Sequence, residues 1–354
     1  MADIMAMAKK MHWTTSTIFG TVFLIIGLIG NTLSLLVWNR KSMQSSTGYY
    51  LIAQAIADIT VLVFFYLTDS IKMIDPAITT SYAYGVFFAY IGYPVFFLGV
   101  VVSIWMTVGV TVDRYIQVCW IHRAKAFCNR KRAFVGIGLI TGLCFIVNLP
   151  HFKTFYAIPA SDRQPSDNAF AFTEFGAGEG SMRYEFWVHC IVLVLVPWFT
   201  IFVLNLLIIH RVVKTNQKMS AGKTLKGKDK TRRAENQLTR LLLIVTFTFL
   251  VLIALQCITQ CFYMLKPKSA NLQLVDEAFS VAKLGVVINS SINFFLYCLS
   301  GQRFRRELFN LLHLLKSKED ESSIIHNTDS SASTASFSLN KSSKYVVSNT
   351  TSAV

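Results

Sequence analysis

The chain has 354 residues, 53% of them hydrophobic and 15% charged, against about 25% charged in an average soluble domain. The missing charge is concentrated into long uncharged runs, which excludes a single soluble globular domain and marks a membrane protein. A net charge of +15 would suit nucleic acid, but the lysines and arginines fall in short loops between apolar runs, so no nucleic-acid partner is expected.

A bilayer core takes roughly 20 apolar residues of helix, and seven segments supply them. Residues 1–16 show no ordered charged, apolar and cleavage regions of a signal peptide. They read as an outer N-terminus, and Thr17–Trp38 as an uncleaved anchor. Tyr49–Ile71 follows, then Tyr84–Val118, which exceeds the needed length and carries Pro94, a residue placed to kink it. Ala133–Leu149, Phe186–His210, Leu241–Leu265 and Val275–Leu299 complete an all-α bundle of seven transmembrane helices. Gln302–Leu315 reads as a short amphipathic interfacial helix, with Phe304, Leu308, Leu311, Leu312 and Leu315 on one face. The membrane domain is thus 17–315, and 316–354, polar and rich in Ser and Thr, reads as a disordered cytoplasmic tail.

Orientation follows from the basic loops. Arg40 and Lys41 follow the first span, Arg123, Lys125, Arg130, Lys131 and Arg132 the third, a block from Arg211 to Arg233 the fifth, and Arg303, Arg305 and Arg306 the seventh. These loops face the cytosol, so the N-terminus lies outside a plasma membrane crossed seven times.

Ionisable residues inside spans are costly and usually functional, which singles out Asp58, Asp69, Lys283 and the pair Asp113–Arg114. With them come Gly30–Asn31 in the first span and Asp58 closing LIAQAIAD in the second. Asp113-Arg114-Tyr115 ends the third, Pro197 lies in the fifth, and Asn293-Phe294-Phe295-Leu296-Tyr297 lies in the seventh. In this order and on these helices the chain resembles the rhodopsin-like G-protein-coupled receptors. Asn148-Leu149-Pro150, Val203-Leu204-Asn205 and INFFLYCLSGQRFR make it most similar to the invertebrate FMRFamide-type neuropeptide receptors.

The resemblance implies a heterotrimeric G protein at the cytosolic face and an extracellular ligand. It makes Asp113, Arg114, Tyr115, Glu235, Asn293 and Tyr297 the coupling residues, with Glu235 pairing Arg114 to keep the inner mouth shut. It also maps Asp58, Ser103, Asn289, Ser290 and Asn293 onto the family's sodium pocket. A carboxylate among neutral oxygens suits a hard cation, and a dry polar network is the alternative. No other cofactor and no enzymatic activity are expected. Asp69 and Lys283 sit about 16 and 15 Å outward of Asp58 and Asn293 at the helical rise. They reach similar depth on helices that are neighbours in the family, as a salt bridge or as contacts to a charged ligand group.

Phe96 stands where amine receptors carry Asp, and Val287 where opsins carry the retinal lysine, so those ligands are disfavoured. Asp69, Tyr93, Phe96, Phe97, His189, Gln256, Gln260 and Lys283 remain as ligand contacts. Their aromatic, moderately polar character fits a short peptide, and Glu185, Asp276 and Glu277 at the mouth suggest a cationic one.

The pattern also breaks. Ala89 occupies the position of the family's third-helix cysteine, and the loop from His151 to Glu185 has none, which leaves that loop without its usual staple. Ile253 and Leu255 replace the sixth-helix Trp and Pro, and Phe294 replaces another kinking Pro. An atypical, constitutive or non-signalling receptor is therefore the rival reading. A transporter is weaker, since Asp58 is nearly alone at the midplane and no internal repeat is evident. At the cytosolic face the basic loops suit anionic lipid as well as a G protein. The tail sites Thr328, Ser330, Ser331, Ser333, Thr334, Ser336 and Ser338 would, once phosphorylated, suit arrestin-like proteins. Ser352-Ala353-Val354 resembles a PDZ-domain ligand.

Overall fold

The structure, a computed structural model, describes residues 6, 10, 12–220, 240, 243–254 and 272–313. Five helices in that set are long and apolar enough to cross a membrane: α1 Thr14–Trp38, α2 Ser46–Ile74, α3 Tyr82–Cys119, α4 Arg130–Lys153 and α5 Glu179–Lys214. The sixth and seventh expected spans are described over α6, Leu243–Ala254, and α7, Leu272–Ser300, and α8 covers Gln302–His313. Each of the five runs past the apolar stretch visible in sequence, because helices continue into polar caps. The Ser45 hydroxyl accepts from the Gly48 N–H at 3.0 Å to open α2, and the Asn129 side-chain oxygen accepts from the Arg132 N–H at 3.1 Å to open α4.

The chain divides after Phe304 into the helical bundle and a second unit from Arg305 onward. Within the bundle α3 is central and packs against α2, α4 and α5, while α1 packs against α2 and α7. One apolar core runs through these helices, built from Val61, Phe65, Phe96, Ile104, Ile201, Phe249, Ile253 and Val287. Four hydroxyls inside the spans need no partner helix. Thr60, Thr107, Thr111 and Thr200 each donate to the carbonyl four residues back, which satisfies a polar group where water is absent. Of the second unit, residues 305–313 are described, and Phe309 and Leu312 are exposed there.

α3 passes Pro94 without a break. Phe88–Gly92, ending two residues before it, wind as a π-helix, a register change that accommodates a residue with no N–H.

Between α4 and α5 the chain forms a hairpin, β1 Phe155–Ala157 antiparallel to β2 Phe170–Phe172. It docks on α3 through rings. Phe170 stacks on Phe88 at 4.1 Å between centroids, Phe155 meets Phe88 edge-on at 5.2 Å and Tyr93 at 4.8 Å, and Phe172 stacks on Phe155 at 4.4 Å. Backbone contacts complete the dock. The Ala169 N–H donates to the Thr79 carbonyl at 2.7 Å, and Arg163 donates to the Thr80 carbonyl. Gly85 lets the strands approach, since a Cβ there would fall 2.2 Å from the Ala169 carbonyl oxygen. Cys119, Cys128 and Cys144 are free thiols. The loop that lacks a cysteine is therefore clasped to α3 by aromatic packing.

Candidate functional site

Three polar clusters lie along the bundle. At its centre Asp58 is fully buried on α2. Its Oδ1 accepts from the Ser103 hydroxyl on α3 at 2.6 Å, and its Oδ2 from the Asn293 amide on α7 at 2.9 Å. The Ser290 hydroxyl is close to the same carboxylate, yet its oxygen is buried without a well-formed hydrogen bond. Asn289 is buried beside it in sequence. Asn31 joins α1 to this cluster, donating to the Ser290 carbonyl at 2.8 Å and to the Gly27 carbonyl at 2.9 Å. One carboxylate and two hydroxyls, one of them with an underused buried oxygen, form a donor set that fits a hard monovalent cation. Asn293 presents its N–H to Asp58, so it orients the carboxylate.

At one end of α3, Asp113 and Arg114 are both buried. Gln117 links them: Arg114 Nη1 donates to Gln117 Oε1 at 3.1 Å, and Gln117 Nε2 donates to Asp113 Oδ2 at 2.7 Å. The Thr47 hydroxyl from α2 also donates to Asp113. Gln117 was not anticipated, although its position three and four residues after the pair puts it on their face of the helix. Arg114 opens into a crevice between α3, α5 and α6 that is also lined by Thr111, Asn205, Ile208, Leu243 and Thr246. Across this crevice Asn205 donates to the Thr246 hydroxyl at 2.7 Å, and nearer the core the Trp198 indole donates to the Leu250 carbonyl at 2.9 Å. Tyr115 turns its ring toward Trp120, 6.0 Å away. Tyr297, 2% exposed, packs edge-on against Trp38 at 5.6 Å and lies 5.4 Å from Phe304. Glu235 lies outside the described residues.

Beyond this end, in the first turn of α4, guanidinium groups sit over rings. Arg132 lies 4.5 Å from Phe127, and Arg130 lies 5.5 Å from Tyr49 and 5.7 Å from Phe134. Cys128 points at the Asp113 carbonyl at 3.6 Å, and burial, followed by the Asp113 charge, pushes its thiol up to about 12.

At the other end the expected Asp69–Lys283 pair forms, with Nζ 3.7 Å from Oδ1. It is part of a larger cluster. Lys72 lies 3.2 Å from the same oxygen, the Ser16 hydroxyl donates to Oδ2 at 2.8 Å, and His12 Nε2 is 3.8 Å away. Ser16 and His12 are more than fifty residues away in sequence, and no local pattern pointed to them.

The third-helix ligand candidates form one row of rings. Phe96 is in the core, 5.3 Å from Phe97, and Tyr93 is 4.8 Å from Phe97. Phe97 stacks on His151 at 4.4 Å. His151, wholly buried and unforeseen, has Nδ1 3.5 Å from Glu185 Oε1. Glu185 was expected to draw a cationic ligand to the mouth, but it is turned into the bundle against this imidazole. His189 lies within α5. Gln256 and Gln260 lie outside the described residues.

The family model described as 7 transmembrane receptor (rhodopsin family) matches residues 30–297, a stretch that contains the Asn31, Asp58, Arg114 and Asn293 clusters. The chain belongs to this family. It is 27% identical to the FMRFamide receptor of Drosophila melanogaster over 328 residues, which covers 89% of this chain and 57% of that receptor. It is 25% identical to the sex peptide receptor of the same organism, over 84% of this chain and 73% of the relative. With a probable G-protein coupled receptor, frpr-1, of Caenorhabditis elegans it shares 24% identity, over 80% and 75% of the two chains. The receptor thus spans little more than half of the Drosophila FMRFamide receptor's length. Membership accounts for the seven-helix bundle and for a multi-pass membrane protein.

Proposed function

We propose that the chain is a plasma-membrane receptor that binds a short extracellular peptide and passes the signal to a heterotrimeric G protein. The observation that carries this reading is the arrangement on α3 of Ser103 on buried Asp58 and, toward one end, Arg114 facing a crevice between α5 and α6. Such a crevice widens if α6 moves outward, a two-state change that a ligand at the opposite end biases by binding one state better. The basic loops support the Arg114 end as cytosolic and the N-terminus as extracellular. Relatives named for peptides support the ligand class.

Asp58, Ser103 and Ser290 would hold a sodium ion, whose charge would offset the buried carboxylate and favour one packing of α2, α3 and α7. Arrestin-like proteins on the phosphorylated tail, a PDZ domain on Ser352-Ala353-Val354 and anionic lipid beside the arginines at the start of α4 are further proposed partners.

The test is a short-peptide library screened on cells expressing the full chain, read by calcium and cyclic AMP, with surface expression confirmed. Dose-dependent responses lost on G-protein inactivation are expected; silence across the library removes the peptide reading. Ile253, 1% exposed in the core where the family carries Trp, favours a second reading, a receptor with raised ligand-free signalling. Basal signalling equal to that of untransfected cells would remove it.

A further inference from the structure

Asp69 lies where a ligand would enter, and its carboxylate is already spent. Oδ2 takes the Ser16 hydroxyl at 2.8 Å with His12 Nε2 at 3.8 Å, and Oδ1 faces Lys72 at 3.2 Å and Lys283 at 3.7 Å. Exposure is divided unevenly across this cluster. The Asp69 side chain is 7% exposed, whereas those of Lys72 and Lys283 are 26% and 22% exposed. Both ammonium groups are thus more open than the carboxylate between them.

Lys72 is held in place by Asp69 and by the Phe88 ring, 5.8 Å from Nζ, so its head does not need to be ordered when a ligand binds. An ammonium carries three donors, and Lys72 commits one direction to Asp69, which leaves N–H bonds for an arriving acceptor. A cationic ligand group would instead have to strip two ammonium groups and a hydroxyl from a buried carboxylate, which is costly.

We infer that Lys72 and Lys283 form a subsite for an anionic group on the ligand: a carboxylate or a sulfate ester carried by a short peptide. The inference rests on the peptide-receptor reading and reverses the charge that the acidic mouth residues suggest. The bond is non-covalent, a charge-assisted contact between ligand oxygens and the two ammonium groups, with Asp69 keeping both in register.

The test is a peptide library built in matched sets on the full chain at the cell surface. Each sequence is made with a free C-terminal acid or an amide, with Glu or Gln, and with sulfotyrosine or tyrosine. Activating peptides are expected to carry one of these anions and to lose more than about tenfold in potency when it is neutralised. The member of each set that loses potency separates carboxylate from sulfate. Lys72→Gln is expected to erase the difference and Lys72→Arg to keep it, at matched surface counts. If Lys72→Gln fails to reach the surface, the acid–neutral comparison on the unaltered receptor decides. Equal potency of charged and neutral partners, or a difference that survives in Lys72→Gln, overturns the anion subsite and leaves the peptide reading standing. Silence of every set overturns both.

Discussion

Asp113 and Arg114 are adjacent in sequence, yet Gln117 carries hydrogen bonds to both. Hydrogen bonds to charged groups contribute about 1.5–3 kcal/mol, and about 1.4 kcal/mol is tenfold in an equilibrium. Gln117→Leu keeps the size of the side chain and removes both bonds. It should raise ligand-free signalling several-fold at equal surface expression; an unchanged baseline in a calcium or cyclic AMP assay would show that Gln117 does not restrain Arg114. Asp58, Arg114 and the Asp69–Lys283 pair were legible in the sequence because a charge inside an apolar run stands out. Gln117, Ser16 and His151 were not: a neutral polar residue at a helix end or near a loop is common, and its role depends on what packs against it. Glu185 shows the same limit. Its sequence neighbours suggest an open mouth, while its partner His151 comes from another helix.

At the scale of elements, the five long spans could be read from apolar length, and each was read too short because capping residues are polar. The β1–β2 hairpin could not be read at all. Three-residue strands carry little periodicity, and their pairing is set by rings on α3. Phe88 is 5% exposed and touches both strands. A buried Phe→Ala change costs about 3–5 kcal/mol. Phe88→Ala should therefore lower the thermal unfolding midpoint of detergent-purified receptor by several degrees and speed proteolysis between β1 and β2. Gly85→Val should do the same by driving a side chain into the Ala169 carbonyl. Wild-type protease resistance in both variants would mean that the rings do not hold the hairpin.

For the whole molecule, the Asp58 cluster joins α2, α3 and α7, and Asn31 ties α1 to it. A cation bound there would favour one packing of four helices, and an agonist that prefers the other packing would compete with it through the fold. In membranes, sodium should then lower agonist affinity relative to a larger cation at equal ionic strength, and Asp58→Asn should abolish that difference. If the sodium effect persists in Asp58→Asn, the cation acts elsewhere. The bundle itself was legible from hydrophobic length, loop charge and a handful of motif residues. The state of its switch was not, because Ile253 and Phe294 leave the apolar character of α6 and α7 as it would be with any other apolar residue. At Gly30 on α1 a Cβ would lie 2.9 Å from Phe294 Cβ, so α1 and α7 approach closely at that point.

The ring clasp on the hairpin also bears on how the receptor is made. A disulfide at this place needs an oxidising compartment and a partner exchange before the outer loop is finished. Stacked phenylalanines need neither. Once α3 and the hairpin have both left the ribosome and met, the dock can close by collapse alone. Maturation of this surface is thereby uncoupled from the thiol chemistry of the cell that produces it.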